Sequence, residues 1–290
     1  MNGTTITIDH YGVSKLVEIE VLEKDDKNIR LLVRGVDVPL MNGLRRIVIS
    51  EVPSMAIDEV VVIENSSILQ DEMIVHRLGL IPLKTDLDSY NLPEKCPCKS
   101  EFGCNLCRVT LTLDAEAKEG TRTIYSGELT SENPDIVPVN DKIPIIKLAK
   151  EQRLRLEAYA RLGRGKDHAK WQPVSMCTYK YFPRIEISTK TCDVCEKCVE
   201  ACPRKVLAKT DNKIEVRNLI GCTLCQDCVD ACPQNPQAIK IGWEENTFIF
   251  GLESTGALPP ERIMTEAIKI LDEQLNNFED QIKVITSEES

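Results

Sequence analysis

The chain lacks several features that would each point to a familiar class of protein. No apolar run approaches the ~18 residues a membrane helix needs, and the first residues, Met1 to Ile8, have neither the basic stretch nor the apolar core of a secretion signal. A soluble, cytoplasmic protein with no membrane contact is expected. Only three histidines are present, His10, His76 and His168, so a metal site must rely on thiolate. Positive charge is scarce as well, 36 Lys and Arg against 46 Asp and Glu for a net charge of −10. Phosphate backbones are held by clustered Lys and Arg, so direct sequence-specific nucleic-acid binding is not expected. There is no Gly-x-Ser-x-Gly elbow, no His-Glu-x-x-His pair and no carboxylate triplet spaced for magnesium. Gly163-Arg164-Gly165-Lys166-Asp167 lacks the first glycine and the Ser or Thr of a phosphate loop and reads as a basic turn. The chain is therefore not expected to be an enzyme by itself.

Cysteine is plentiful. Of the 13 in the chain, twelve fall into three compact groups, and in a reducing cytoplasm grouped thiols are metal ligands rather than disulfides. Two groups are near copies: Cys192-Asp193-Val194-Cys195-Glu196-Lys197-Cys198-Val199-Glu200-Ala201-Cys202-Pro203 and Cys222-Thr223-Leu224-Cys225-Gln226-Asp227-Cys228-Val229-Asp230-Ala231-Cys232-Pro233. Both have the C-x2-C-x2-C-x3-C-P spacing of two-cluster ferredoxins, in which three close thiolates wrap one cubane and the fourth reaches the other. The expected ligand sets are Cys192, Cys195, Cys198 and Cys232 for one [4Fe–4S] cluster, and Cys222, Cys225, Cys228 and Cys202 for a second. A pair of zinc sites is the competing reading, which two four-cysteine runs ending in proline fit poorly. Lys213–Val216 and Ala238–Ile241 read as repeated strands, making about 188–243 a ferredoxin-like domain with pseudo-twofold symmetry. The third group, Cys96, Cys98, Cys104 and Cys107, has two close pairs around a glycine loop. A four-thiolate zinc hairpin is expected there, with a loop of free surface thiols as the alternative. Cys177 stands apart and reads as a small buried hydrophobe.

Outside the cysteines the pattern is mixed α+β, and 290 residues at roughly 150 per domain suggest about two domains. Val17, Ile19 and Val21, then Ile29, Leu31 and Val33, alternate with charged residues around the polar turn 24–28, as in a hairpin. A helix begins near Pro39, with Leu40, Leu44, Ile47 and Val48 on one face and Arg45 and Arg46 beside them. Strands are expected at 60–63, 109–113, 154–158 and 248–252, and a short helix at about 71–77. A last helix opens at Pro259-Pro260-Glu261 and carries the apolar stripe Ile263, Ala267, Leu271, Leu275, Phe278 and Ile282. That stripe is either consumed within the chain or left for a partner; periodicity alone does not choose.

Asn42-Gly43-Leu44-Arg45-Arg46-Ile47-Val48-Ile49-Ser50-Glu51-Val52-Pro53-Ser54-Met55-Ala56-Ile57-Asp58 resembles the signature of the α-like subunits of multisubunit RNA polymerases. So do residues 64–72 and 76–83, Gly165-Lys166-Asp167-His168-Ala169-Lys170-Trp171-Gln172-Pro173, and Glu253-Ser254-Thr255-Gly256. The resemblance runs over essentially the whole chain and is strongest to the archaeal, D-type members, some of which carry a ferredoxin-like insertion. It implies a discontinuous dimerisation domain from 1–50 and 244–290, an insert domain at 51–185 containing the zinc hairpin 96–107, and an iron–sulfur domain at 186–243. It also implies a heterodimer with the small subunit L, on which the large catalytic subunits assemble, and gives Arg45 and Arg46 an interface role. Relatives with one cluster or a [3Fe–4S] form exist, whereas eight ligands here imply two [4Fe–4S] clusters. Two departures stand out: Cys98 to Cys104 is longer than the family's hairpin spacing, and Gly43 replaces the usual alanine. The implied function is a non-catalytic assembly subunit whose clusters serve a structural or regulatory role. The alternative is a ferredoxin-like electron-transfer subunit of a redox enzyme, which would need no polymerase-like flanks.

Overall fold

The computed structural model describes residues 4–10, 13–100 and 102–288; residues 1–3, which bear on the leader reading, lie outside it. In chain order the elements are β1 (Thr4–His10), β2 (Val13–Lys24), β3 (Asn28–Arg34), α1 (Val38–Ser50), β4 (Pro53–Asn65) and α2 (Asp71–Gly79). There follow β5 (Arg108–Glu116), β6 (Arg122–Tyr125), β7 (Thr130–Ser131), β8 (Pro144–Leu148), β9 (Arg153–Arg164) and β10 (Val174–Ile187). The cysteine runs bring α3 (Lys197–Glu200), β11 (Leu207–Thr210), β12 (Lys213–Val216) and α4 (Asp227–Asp230), and the chain ends with β13 (Ile239–Ser254) and α5 (Pro260–Glu288). No helix among the described residues is long and apolar enough to cross a membrane.

By internal contact the chain forms two units, Met1–Glu23 with Arg30–Met41 and Thr178–Gly251, and Lys24–Ile29 with Asn42–Cys177 and Leu252–Ser290. The first unit holds most of a five-stranded sheet in the order β1-β2-β3-β13-β10. β1 pairs antiparallel with β2 from Thr4↔Ile19 to His10↔Val13. β10 and β13 are neighbours in this sheet, and the excursion between them closes where Ser188 N donates to Ala238 O at 2.8 Å. The cysteine-rich segment is thus inserted at the tip of a strand pair. Its small core is Val206, Leu207, Ile214 and Ile239 together with the buried Cys222 and Cys228. The expected strand 238–241 and the expected strand 248–252 are two ends of one 16-residue strand, β13.

In the second unit β4, β9, β5 and β7 form a four-stranded sheet in that order. β9 pairs antiparallel with β4 from Arg164↔Pro53 to Leu154↔Asn65, and with β5 from Arg161↔Arg108 to Arg153↔Glu116. Alternation decides which face is inward. Val109, Leu111, Leu113 and Ala115 of β5 are buried, as are Leu154, Leu156, Ala158, Ala160 and Leu162 of β9. α2 covers this core with Ile74 and Leu78, both fully buried, and its Asp71 and Glu72 at the start and His76 and Arg77 at the end suit the helix dipole. The end of β9 and the turn after it owe their glycines to packing, because a Cβ on Gly165 would lie 2.1 Å from the Ile49 carbonyl oxygen and one on Gly163 2.4 Å from the Trp171 ring.

Gly165→Ala is therefore expected to destabilise the chain by ~3 kcal/mol or more, the upper end of overpacking. Gly43→Ala, which meets nothing within 4 Å in the interior of α1, is expected to stabilise it by about 1 kcal/mol through helix propensity. Thermal unfolding of the two variants should move in opposite directions.

Candidate functional site

The two cysteine runs are wound identically. Val194 and Leu224, between the first and second cysteines, have φ of 58° and 61°, and Glu196 and Gln226, between the second and third, have 64° and 68°. Four non-glycine residues in the left-handed region, one of them β-branched, mark a backbone held against its own preference. Left-handed residues set into a loop can turn successive N–H groups toward one centre, as in the anion-binding concavities of iron–sulfur sites. α3 and α4 then carry the fourth cysteine around, with Cys202 N bonded to Val199 O and Cys232 N to Val229 O at 3.3 and 3.1 Å. The sulfurs of Cys202 and Cys232 each accept a backbone N–H at 3.4 Å, from Val206 and Ala238.

Two concavities open at these loops. Cys192, Cys195, Cys198 and Cys232 line the first, and Cys222, Cys225, Cys228 and Cys202 line the second. Each set contains three cysteines of one run and the last cysteine of the other. Electrostatics follow the same partition. Burial and then the neighbouring Cys202, Cys222 and Cys225 push the Cys228 thiol up to about 11, while burial and then Cys192, Cys195 and Cys232 raise Cys198. A metal cation beside them would favour the ionised form of Cys198 and Cys228. The donor set therefore fits two cubanes. The one buried side-chain oxygen without a partner among the described residues, Thr191 Oγ1, belongs to the residue before Cys192, where a cluster would add sulfur acceptors.

The third group closes on itself. All four ligand sulfurs of Cys96, Cys98, Cys104 and Cys107 lie within 4.8 Å of one another. Cys96 to Cys104 is 3.7 Å, Cys98 to Cys107 is 3.8 Å and Cys104 to Cys107 is 3.9 Å. A tetrahedral zinc site with Zn–S bonds of ~2.3 Å has edges of about 3.8 Å, so these separations fit zinc and are far too long for disulfides. The Cys104 N–H donates to Cys107 Sγ at 3.1 Å and the Leu106 N–H to Cys104 Sγ at 3.4 Å; at Cys107 burial outweighs the Cys104 N–H and raises the thiol. Gly103, at φ +75°, allows the loop to approach Cys107 Sγ, which a Cβ there would meet at 3.2 Å. The Ser100 N–H and then the other thiols hold Cys98 down at about 7. At Cys96 the Cys98 N–H acts downward, but burial and the three neighbouring thiols together push the group up to about 12.

Cys177 is buried, and burial lifts its thiol to about 12, as suits an inert core residue. Arg45 is half-buried and donates to Asn42 Oδ1 at 3.0 and 3.3 Å, whereas Arg46 is exposed. The stripe on α5 divides: Ile263 and Ala267 are fully buried, and Leu275, Phe278 and Ile282 are exposed along with Ile268 and Ile285. One residue near the second concavity has no signal in the sequence pattern. Lys180 of β10 donates to the carbonyl oxygens of Ile220 and Cys222, both at 2.6 Å, across 40 and 42 positions of chain.

Comparison with known proteins adds a family context. The profile of the RNA polymerase Rpb3/RpoA insert domain matches residues 60–177, and that of the 4Fe-4S dicluster domain matches residues 173–238. Among curated proteins, the DNA-directed RNA polymerase subunit Rpo3 of Methanosphaera stadtmanae is 41% identical over 264 residues, covering 90% of this chain and 97% of the relative. The subunit of the same name from Archaeoglobus fulgidus is 44% identical over 269 residues, 92% of this chain and 99% of its own. That of Methanothermobacter thermautotrophicus is 46% identical over 258 residues, 88% and 95%.

In the metal-free chain, mild alkylation near pH 7.5 is expected to modify exposed, low-pKa Cys98 before buried, high-pKa Cys96 and Cys177. Peptide mass mapping at short times checks the order, and equal labelling of Cys98 and Cys96 would contradict the assignment.

Proposed function

The chain belongs to the Rpo3 family of archaeal DNA-directed RNA polymerase subunits, and on that premise we propose that it is a non-catalytic assembly subunit of such a polymerase. The observation that carries this reading is the extent of the identity, about nine-tenths of the chain rather than the cluster segment alone. An electron carrier would need only the two cysteine runs and their strands. The polymerisation activity belongs to the complex. Its partners are other polymerase subunits, and its compartment is the cytoplasm.

Within that role, residues 1–50 and 244–290 act as the dimerisation domain, 51–185 as the insert domain and 186–243 as the iron–sulfur domain. Subunit L is the proposed partner of α5. Support comes from Leu275, Phe278, Ile282 and Ile285, which recur at helical spacing on an exposed face. Cys192, Cys195, Cys198 and Cys232 hold one [4Fe–4S] cluster, and Cys222, Cys225, Cys228 and Cys202 a second; Cys96, Cys98, Cys104 and Cys107 hold Zn²⁺. The clusters supply folding energy to a segment too small to be secure without a staple. The fit of each donor set to its concavity supports these assignments.

Tagged protein isolated from its native cells is expected to bring down the large polymerase subunits and subunit L. Recovery with a reductase in their place would point to electron transfer. Phe278→Glu, at a side chain 62% exposed, should change the stability of the isolated chain by no more than about 0.5 kcal/mol while weakening L binding by about 2 kcal/mol, roughly thirty-fold. Anaerobic preparations should contain about eight iron and eight sulfide per chain. Cys202→Ser should remove the cluster held by the other run, an outcome that cross-ligation requires and ligation within single runs does not.

A further inference from the structure

The two cysteine runs are related by a shift of thirty positions, and their loops, left-handed residues and helices match pair by pair. Lys180 breaks that symmetry. It lies outside the repeat, on β10 of the five-stranded sheet, and reaches over to the loop that delivers the first cysteine of the second run. Two of its three N–H groups are used on the carbonyls of Ile220 and Cys222. A lysine half-removed from water ordinarily has a carboxylate for company. Among the described residues none lies within ion-pair distance of Lys180. The charged side chains that act on it are Arg30, itself paired with Glu23 at 3.3 Å, and Arg204 at the rim of the second concavity, both positive. The one negative influence on it is Cys222. The counter-charge that this site lacks is what a cluster ringed by four thiolates provides.

The first concavity is arranged otherwise. Asp193 and Glu196 line it, the Asp193 carboxylate accepts the Cys195 N–H at 3.2 Å, and Glu196 is paired with Lys209. The equivalents of these acids in the second run are Thr223 and Gln226, both uncharged. Lys197 and Asp227 also occupy equivalent places with opposite signs, but neither lines a concavity.

We propose that Lys180 is a positioning residue for the second cluster, fixing the Ile220–Cys222 loop to the sheet and placing a positive charge beside that cluster and not the first. The inference rests on the ligand sets proposed above. A cubane that accepts one electron gains one negative charge, so a fixed cation nearby stabilises its reduced form and raises its reduction potential. The side chain also ties the ligand loop to a strand of the five-stranded sheet.

The test is an anaerobic redox titration of the full-length, cluster-loaded chain followed by EPR, with iron and sulfide measured on the same samples. Cys225→Ser identifies the signal of the second cluster by its loss. Lys180→Met is expected to move that same signal to lower potential and to leave the other in place, and Lys180→Arg, which keeps the charge and two or more donors, should restore most of the shift. A Lys180→Met chain with full iron and both potentials unchanged overturns the inference, and so does an equal shift of both signals. If Lys180→Met fails to hold the second cluster at all while Lys180→Arg holds it, the positioning role stands and the potential of the arginine variant reports the charge. Wild-type chain with iron for one cluster only, unaffected by Cys225→Ser, would fail the ligand reading first and be recognised as such.

Discussion

The pairing of β10 with β13 is the constraint on which the rest of the molecule depends. These two long strands lie side by side in the five-stranded sheet, and the chain leaves the sheet at the end of one and returns at the start of the other. Because the ends of the excursion are already held together by Ser188 and Ala238, the segment between them closes with little further loss of chain entropy. A fifty-residue domain whose own apolar core is a handful of side chains can therefore stand on a frame that was going to form regardless. The thiols then have one task left, which is to meet around iron, and the backbone prepares that by placing left-handed residues between them.

Crowded thiols also explain why metal is a structural matter here. In each of the three groups burial, helped by neighbouring thiols, raises at least one cysteine: Cys96, Cys198 and Cys228. A bound metal would replace protons with cations, and ligation, ionisation and folding would then be one equilibrium. The acidic balance of the chain adds to the same pressure, and arginines and lysines are correspondingly placed where they matter locally: Lys170 at 2.5 Å from Asp58 of β4, Arg153 of β9 at 2.7 Å from Asp114 of β5.

Much of this was legible in the residues before any coordinates. The cysteine spacing points to the two crossed ligand sets because geometry and spacing are nearly the same statement in so short a loop. β5 and β9 were equally plain, since one face of each is buried and strict alternation follows. α2 and α5 carry clear periodicity. What escaped has physical reasons. β10 has no simple alternation, with a burial pattern in which partly exposed residues run together, and β13 hides its unity behind the polar stretch Glu244-Glu245-Asn246. The fate of the α5 stripe depends on what the rest of the chain covers, which pattern does not contain; burial of Ile263 and Ala267 and exposure from Leu275 onward decided it. Lys180 was invisible because its importance comes from a contact forty positions away.

The narrow neck at Ser188 and Ala238 has an evolutionary reading. A domain attached through two adjacent strand ends can be acquired or discarded in one genetic step, with the sheet register on either side untouched. Decay can also proceed piecemeal, because losing one ligand set damages only the far side of the neck. Selection on metal content and selection on polymerase architecture can then act on the same gene almost independently, with the strand that carries Lys180 as the place where they meet.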